Sequence, residues 1–189
     1  MAAKPSLPKL IFMKQFVPTS QFEWIAGLRS SFYLLMPLFI LVLFFSPVKF
    51  FGPVTLFLVN SLFLGFYRYF EPLVMLNPEG LEPQEFLDRK NKFLIKMILV
   101  LNVPPLIINS FFNLDVAWFN ICFLIGFTLL ALCTIYMKYS DYKPNEEQPF
   151  HMDSLIVFAA VLIPFFLPIS YFLNRSYKKK ALLNLTNYA

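Results

Sequence analysis

Charge is what this sequence has least of. Lys, Arg, Asp and Glu supply 14% of its 189 residues, where an ordinary soluble domain carries about 25%. The 27 charged residues gather in short clusters between long uncharged runs, so they cannot cover a water-facing exterior. Histidine occurs once, which excludes a His-pair metal site. That residue, His151, stands beside Glu146, Glu147 and Asp153 in a stretch that reads as a solvated loop. Cysteine occurs twice, as Cys122 and Cys133. Eleven residues apart on one helix, the two are about three turns, roughly 16 Å, from each other, too far to bridge, and they read as small apolar packing residues. Glycine is scarce, and there is no Gly-rich phosphate loop, no Ser-His-Asp set and no acidic pair inside an apolar run. These absences predict a chain that is not an enzyme, holds no metal or cofactor and takes no nucleic-acid partner.

What is abundant is apolar side chain: 58% of residues are hydrophobic and 25 are Phe. Read by the gaps between charges, the chain contains five stretches, 31–48, 50–67, 97–114, 116–137 and 154–174, of 18, 18, 18, 22 and 21 residues. As helices these span roughly 27 to 33 Å, enough to cross a hydrocarbon core. They lack the polar/apolar alternation of a membrane barrel strand. The expected fold is therefore all-α, a polytopic helical membrane protein in contact with membrane lipids. Ser46-Pro47-Val48-Lys49 and Asn113-Leu114-Asp115 read as tight turns. They divide the chain into two helical hairpins plus a fifth segment broken by Pro164 and Pro168.

Residues 1–30 carry Lys4, Lys9, Lys14 and Arg29 among Phe12, Phe16, Phe22, Trp24, Ile25 and Leu28. This reads as a basic amphipathic segment on a membrane face or as a disordered basic leader, and not as a cleaved signal peptide. Residues 31–174 form the membrane domain and 175–189 a basic tail. If all five segments span, eleven basic residues lie on the side of the N-terminus, and the four in the tail fall on the other. If 154–174 enters and returns on one side, the division becomes fifteen to one, in line with the retention of Lys and Arg on the cytoplasmic side. The re-entrant arrangement is slightly favoured over a kinked span. Asn174-Arg175-Ser176 is a formal glycosylation sequon close to the membrane.

The connector 71–96 has order of its own. Asn77-Pro78-Glu79-Gly80 suits a turn and Pro83 the first turn of a helix. Acids come first and bases follow, with Glu85–Arg89 and Asp88–Lys92 as four-residue pairs. The stretch reads either as a solvated connector or as an interfacial helix leading into the third span, an elbow against the bilayer or a surface for a cytoplasmic partner. The candidate docking residues are Glu82, Glu85, Asp88, Arg89, Lys90 and Lys92. Within the spans the polar side chains are few: Asn60, Asn102, Asn109 and Thr128. Helix-to-helix hydrogen bonding is their commonest use, and lining of a path the other. Counted in this way, no charge lies inside a span, which argues against a proton- or ion-coupled pump.

Gly65-Phe66-Tyr67-Arg68-Tyr69-Phe70, Glu85-Phe86-Leu87-Asp88-Arg89-Lys90, Trp118-Phe119-Asn120-Ile121, Tyr142-Lys143-Pro144-Asn145, the proline-broken segment and the 177–188 tail occur in an order that resembles the later half of membrane (permease) subunits of type-2 ABC exporters, especially those of Bacteroidota. The resemblance covers roughly residues 60–188. It implies a multi-pass subunit of a bacterial inner membrane, working with a separate ATP-binding subunit that Glu82–Lys92 would contact, or with other membrane subunits. Such permeases usually have about six spans, and this chain is shorter. Phe45-Ser46-Pro47 and Glu71-Pro72-Leu73-Val74 are similar to the prenylated Rab acceptor family over about residues 20–138. That second resemblance implies a non-transporting scaffold or trafficking adaptor.

Overall fold

A computed structural model describes residues 17–18, 21–68, 70–71, 76, 80–143 and 152–188. Six helices form among them: α1 (Phe22–Phe45), α2 (Phe51–Leu64), α3 (Pro83–Phe112), α4 (Ala117–Ser140), α5 (Asp153–Leu162) and α6 (Leu167–Leu185). Single 3-10 turns follow α2 at Gly65–Tyr67, join α3 to α4 at Leu114–Val116, and join α5 to α6 at Pro164–Phe166. Three stretches, Phe22–Phe45, Pro83–Phe112 and Leu114–Ser140, are helical, long and apolar enough to cross a membrane, and Phe51–Tyr67 is a shorter apolar one. The protein is thus an all-α, helical membrane protein.

Both expected hairpin turns are present, but three helices run past the charges that had delimited the spans. α1 starts at Phe22, not at Ser31, and passes through Arg29; α3 starts at Pro83 and forms one continuous helix with the expected interfacial connector. α4 continues through Lys138 to Ser140. Lys138 is buried and ion-paired across the bundle, so α4 need not end there, whereas Arg29 and Lys96 are exposed and the helices that carry them run on to the end where Glu23 and Lys90 are buried and paired. Pro83 occupies the first turn of α3 and Glu85 and Arg89 pair at 3.0 Å, as their spacing suggests. Asp88 instead accepts from Gln84 at 2.9 Å and lies 3.4 Å from the Lys178 ammonium.

α4 is the central helix, with α5 and α6 packed along it. The proline-broken segment reverses direction. Asp153 at the start of α5 accepts a 2.7 Å hydrogen bond from the Tyr177 hydroxyl on α6. Asn174 donates to the Leu129 carbonyl and Asn184 to that of Tyr139, so α6 runs parallel to α4 in step with it. Lys178 therefore sits at the same end of the bundle as the start of α3. This helical hairpin is the geometry that places the basic tail with the other basic residues. The tail itself is helical, and its Ala181 and Leu185 are buried. Asn174 is buried and hydrogen-bonded, so its sequon is not presented at the surface.

Gly126 lets α5 approach α4 closely, since a Cβ there would lie 2.9 Å from the Ala160 carbonyl oxygen and from Val161 Cα. Small residues at contacts are the usual means of bringing membrane helices together. The interior is otherwise filled by aromatic rings. Trp24 stacks on Phe63 at 5.5 Å and meets Phe66 and Phe93 edge-on, and Phe57 meets Phe158 at 4.8 Å. The bundle's outside is also apolar: Tyr33, Ile40, Phe44, Phe111, Ile121 and Phe172 are all more than 50% exposed, a surface suited to lipid.

Candidate functional site

Among the described residues, buried polar side chains join helices at the basic end of this bundle, in its middle and at its opposite end. At the basic end, Glu23 of α1, Glu71 of the connector, Lys90 of α3 and Lys138 of α4 converge, all of them buried. The Lys90 ammonium lies 2.5 Å from Glu23 Oε1 and 3.0 Å from Glu71 Oε1. That of Lys138 lies 3.2 Å from Glu23 Oε1 and 2.7 Å from Glu71 Oε2. The Tyr139 hydroxyl donates to Glu71 Oε1 at 2.5 Å, and the Tyr142 hydroxyl donates to the Glu71 carbonyl. Two acids and two bases sum to zero, the condition under which ionic groups persist away from water.

Aromatic rings enclose the cluster. Lys90 lies 5.2 Å from the Phe86 ring, 5.3 Å from Tyr139 and 5.5 Å from Phe22, and Lys138 lies within 5.7 Å of Tyr67 and Tyr139. Both ammoniums are therefore held by ring faces as well as by carboxylates. Tyr67 accepts a 2.6 Å hydrogen bond from Trp24 Nε1, tying the end of α2 to α1. Burial of Glu71 works against its charge, but Lys90 and Lys138 outweigh it and hold the carboxyl well below the usual carboxylate range. Burial pushes the Tyr142 hydroxyl up to about 12, with the Glu71 charge adding to the effect. Glu71 is thus kept ionised and Tyr142 protonated, the states that their bonds require.

At the opposite end and in mid-bundle, asparagines do the joining. Asn109 of α3 donates to the carbonyls of Ser46 at 2.7 Å and Lys49 at 2.9 Å, clasping the α1–α2 turn, and accepts from Asn120 of α4 at 2.8 Å. Asn60 of α2 donates to Asn102 of α3, whose own amide donates to the Ile98 carbonyl at 2.8 Å. All three asparagines singled out by sequence are buried and join helices to each other.

The proposed docking residues divide. Glu82, Glu85, Arg89 and Lys92 are exposed on the first turns of α3 and Asp88 is half-buried. Lys90 is buried in the ionic cluster and is withdrawn from that surface. Sequence reasoning passed over Glu23 and took Glu71 and Lys138 as the starts of polar connections. A signal was available, since each is an isolated charge among aromatic residues: Phe22-Glu23-Trp24, Phe70-Glu71 and Tyr136-Met137-Lys138-Tyr139. His151, Glu146 and Glu147 lie outside the described residues, as do Asn77, Pro78 and Glu79 of the expected turn; Gly80 has the positive φ of 62° that a turn favours.

No family model, curated protein or solved structure matches this chain. What the cluster can do follows from its bonds alone. It fastens four chain segments, α1, the connector, α3 and α4, through charge-assisted hydrogen bonds.

Proposed function

We propose that this protein is a non-catalytic, multi-pass membrane subunit that receives a partner on the exposed first turns of α3. The form implied by the sequence resemblance is the membrane subunit of an ATP-driven exporter in a bacterial inner membrane, with ATP chemistry on a separate chain. The observation that carries this reading is the construction of α3. Its exposed stripe of Glu82, Glu85, Arg89 and Lys92 stands on the same continuous helix whose Lys90 is bonded to Glu23 and Glu71. A partner bearing on that stripe acts on a helix already fastened to α1 and, through the shared carboxylates, to α4.

The test is affinity purification of the tagged protein from its native membrane in mild detergent, with mass spectrometry of what accompanies it. An ATP-binding subunit is expected, and it should be lost when Glu85, Asp88 and Arg89 are replaced together by Ala. Those residues are exposed or half-buried, so the helix itself should persist. Recovery of small GTPases in place of an ATPase would replace the exporter reading with the trafficking-adaptor one.

A further inference from the structure

Where α3 and α6 run side by side, the Lys178 ammonium lies 3.4 Å from Asp88 and fixes the register between them. α6 runs parallel to α4, and a tight turn joins α3 to α4, so α3 and α6 are antiparallel. From this ion pair toward the apolar middle of the bundle, α3 ascends in residue number and α6 descends. Lys92, four residues after Asp88, and Arg175, three before Lys178, therefore stand at one level, about one turn further in. Because the two helices are opposed in direction, both offsets rotate toward the same side of their contact. Lys92 and Arg175 thus border a single groove, and both are exposed.

Two more bases are aimed at that level. The Cα–Cβ bonds of a helix tilt toward its N-terminus. On α3 this tilt brings the exposed Lys96 back from a turn deeper, and on α6 it brings the exposed Lys179 in from a turn farther out. None of the four makes a salt bridge among the described residues. The acids beside them are already engaged: Asp88 accepts from Gln84 and meets Lys178, and Glu85 pairs with Arg89. Four bases from two helices, with no carboxylate left to answer them, suit an anion.

What comes next along both helices decides which kind. Leu99 and Val100 of α3, and Tyr171 and Phe172 of α6, are all exposed, on the side of the groove toward the middle of the bundle. Exposed aromatic residues followed by bases mark the boundary between hydrocarbon and water. A free phosphate would leave that apolar border unused, whereas a basic cleft between membrane helices fits a lipid headgroup.

We propose that the groove between α3 and α6 binds an anionic phospholipid, its phosphate held among Lys92, Lys96, Arg175 and Lys179 and its acyl chains lying along the apolar residues beyond. Lys92 also belongs to the stripe that receives a partner in the reading above. The test therefore uses residues of this groove alone, and the site does not depend on that reading.

Dioleoyl phosphatidylglycerol and dioleoyl phosphatidylcholine, which differ in charge and not in chains, are added to the full-length protein in mild detergent and counted as bound copies by native mass spectrometry. One phosphatidylglycerol should be retained, at least about tenfold more tightly than phosphatidylcholine, and excess inorganic phosphate should not displace it. A base near a membrane surface contributes about fivefold to such binding. Arg175→Gln on α6 and Lys96→Gln on α3 should each weaken retention by about that factor. Both residues are exposed, so each variant should keep the wild-type Tm in lipid-free detergent. Arg29→Gln removes the same charge from α1, which packs on α2, and should leave retention unchanged. Equal retention of the two lipids, displacement by inorganic phosphate, undiminished binding by Arg175→Gln or Lys96→Gln, or an equal loss in Arg29→Gln would each overturn the proposal.

Discussion

At the basic end of the bundle, four charged side chains join α1, the connector, α3 and α4. At the opposite end, α3 is joined to the α1–α2 turn and to α4 by asparagine amides that reach backbone carbonyls and one another. Both joints are buried and each leaves an oxygen without a hydrogen-bond partner, Glu23 Oε2 in the one and Asn120 Oδ1 in the other, yet they differ in what a single deletion leaves behind. Taking one lysine from the ionic joint strands a charge away from water, whereas taking one asparagine strands only neutral groups. Charged joints are therefore stiff and intolerant, and amide joints are tolerant. The stiff one lies at the end that also bears the exposed charged stripe of α3.

The largest effect is expected from breaking the stiff joint. Lys138→Met leaves Glu23 and Glu71 facing one ammonium and should destabilise the protein by about 3–5 kcal/mol, measured as loss of Tm or of denaturant midpoint in detergent. Adding Glu71→Gln to the same chain restores the charge balance and should recover a large part of that loss. If the double variant is no more stable than the single one, balance of charge is not what holds this end.

Acid sharpens the comparison without a mutation. Glu71 is held below its ordinary value by Lys90 and Lys138, so folding favours its ionised form. That contribution is fully present above the unfolded carboxyl value of about 4.3 and is lost as pH falls below it toward the folded value. Tm should drop more steeply between about pH 5 and 3 in the wild type than in Glu71→Gln, which starts lower and has no such proton to take up. Parallel curves would show that the pairing of Glu71 contributes nothing.

A third variant separates the middle of the bundle from both ends. Gly126→Leu pushes a side chain into the Ala160 and Val161 backbone and should cost about 1–3 kcal/mol. Hydrogen exchange should accelerate in α5 and α6 and remain unchanged at Asn109 and at the ionic joint. Acceleration throughout would mean that the hairpin of α5 and α6 supports the rest of the bundle.

The amide joint was legible in the sequence and the ionic one was not, for a physical reason. Asn60, Asn102 and Asn109 stood alone in apolar runs, where a polar group must find a partner, so their bonding followed from isolation alone. Glu23, Glu71, Lys90 and Lys138 carry full charges, and a full charge read singly marks water. Their partners are 19 to 115 residues distant, so cancellation is invisible to any local window. The same error displaced the end of α4, and exposed Arg29 and Lys96, which a helix can carry past its apolar stretch, displaced the starts of α1 and α3, while the turns at Ser46–Lys49 and Asn113–Asp115, which depend on local residues, fell where expected. The return of the broken segment was legible only as the slightly favoured of two readings, from Pro164, Pro168 and the placement of basic residues. Its close seat on α4 was not, because Gly126 reveals its use only once Ala160 is opposite.

The smallest effect is expected from the amide pair between α2 and α3, and it is the sharpest test of the contrast. Hydrogen bonds between membrane helices average about 0.6 kcal/mol and reach about 1.7, so Asn102→Leu alone should lower stability by about that much, chiefly by leaving the Asn60 amide without its acceptor. Asn60→Leu with Asn102→Leu removes both polar groups and puts apolar side chains in their place between α2 and α3. The double variant should be near wild type in Tm, since replacing both partners by apolar groups is nearly neutral. The Asn102 amide's bond to the Ile98 carbonyl is lost with it, but that carbonyl lies within α3, where the helix already provides a donor. A double variant that falls by several kcal/mol would place this amide pair with the ionic joint and erase the distinction between the two kinds of fastening.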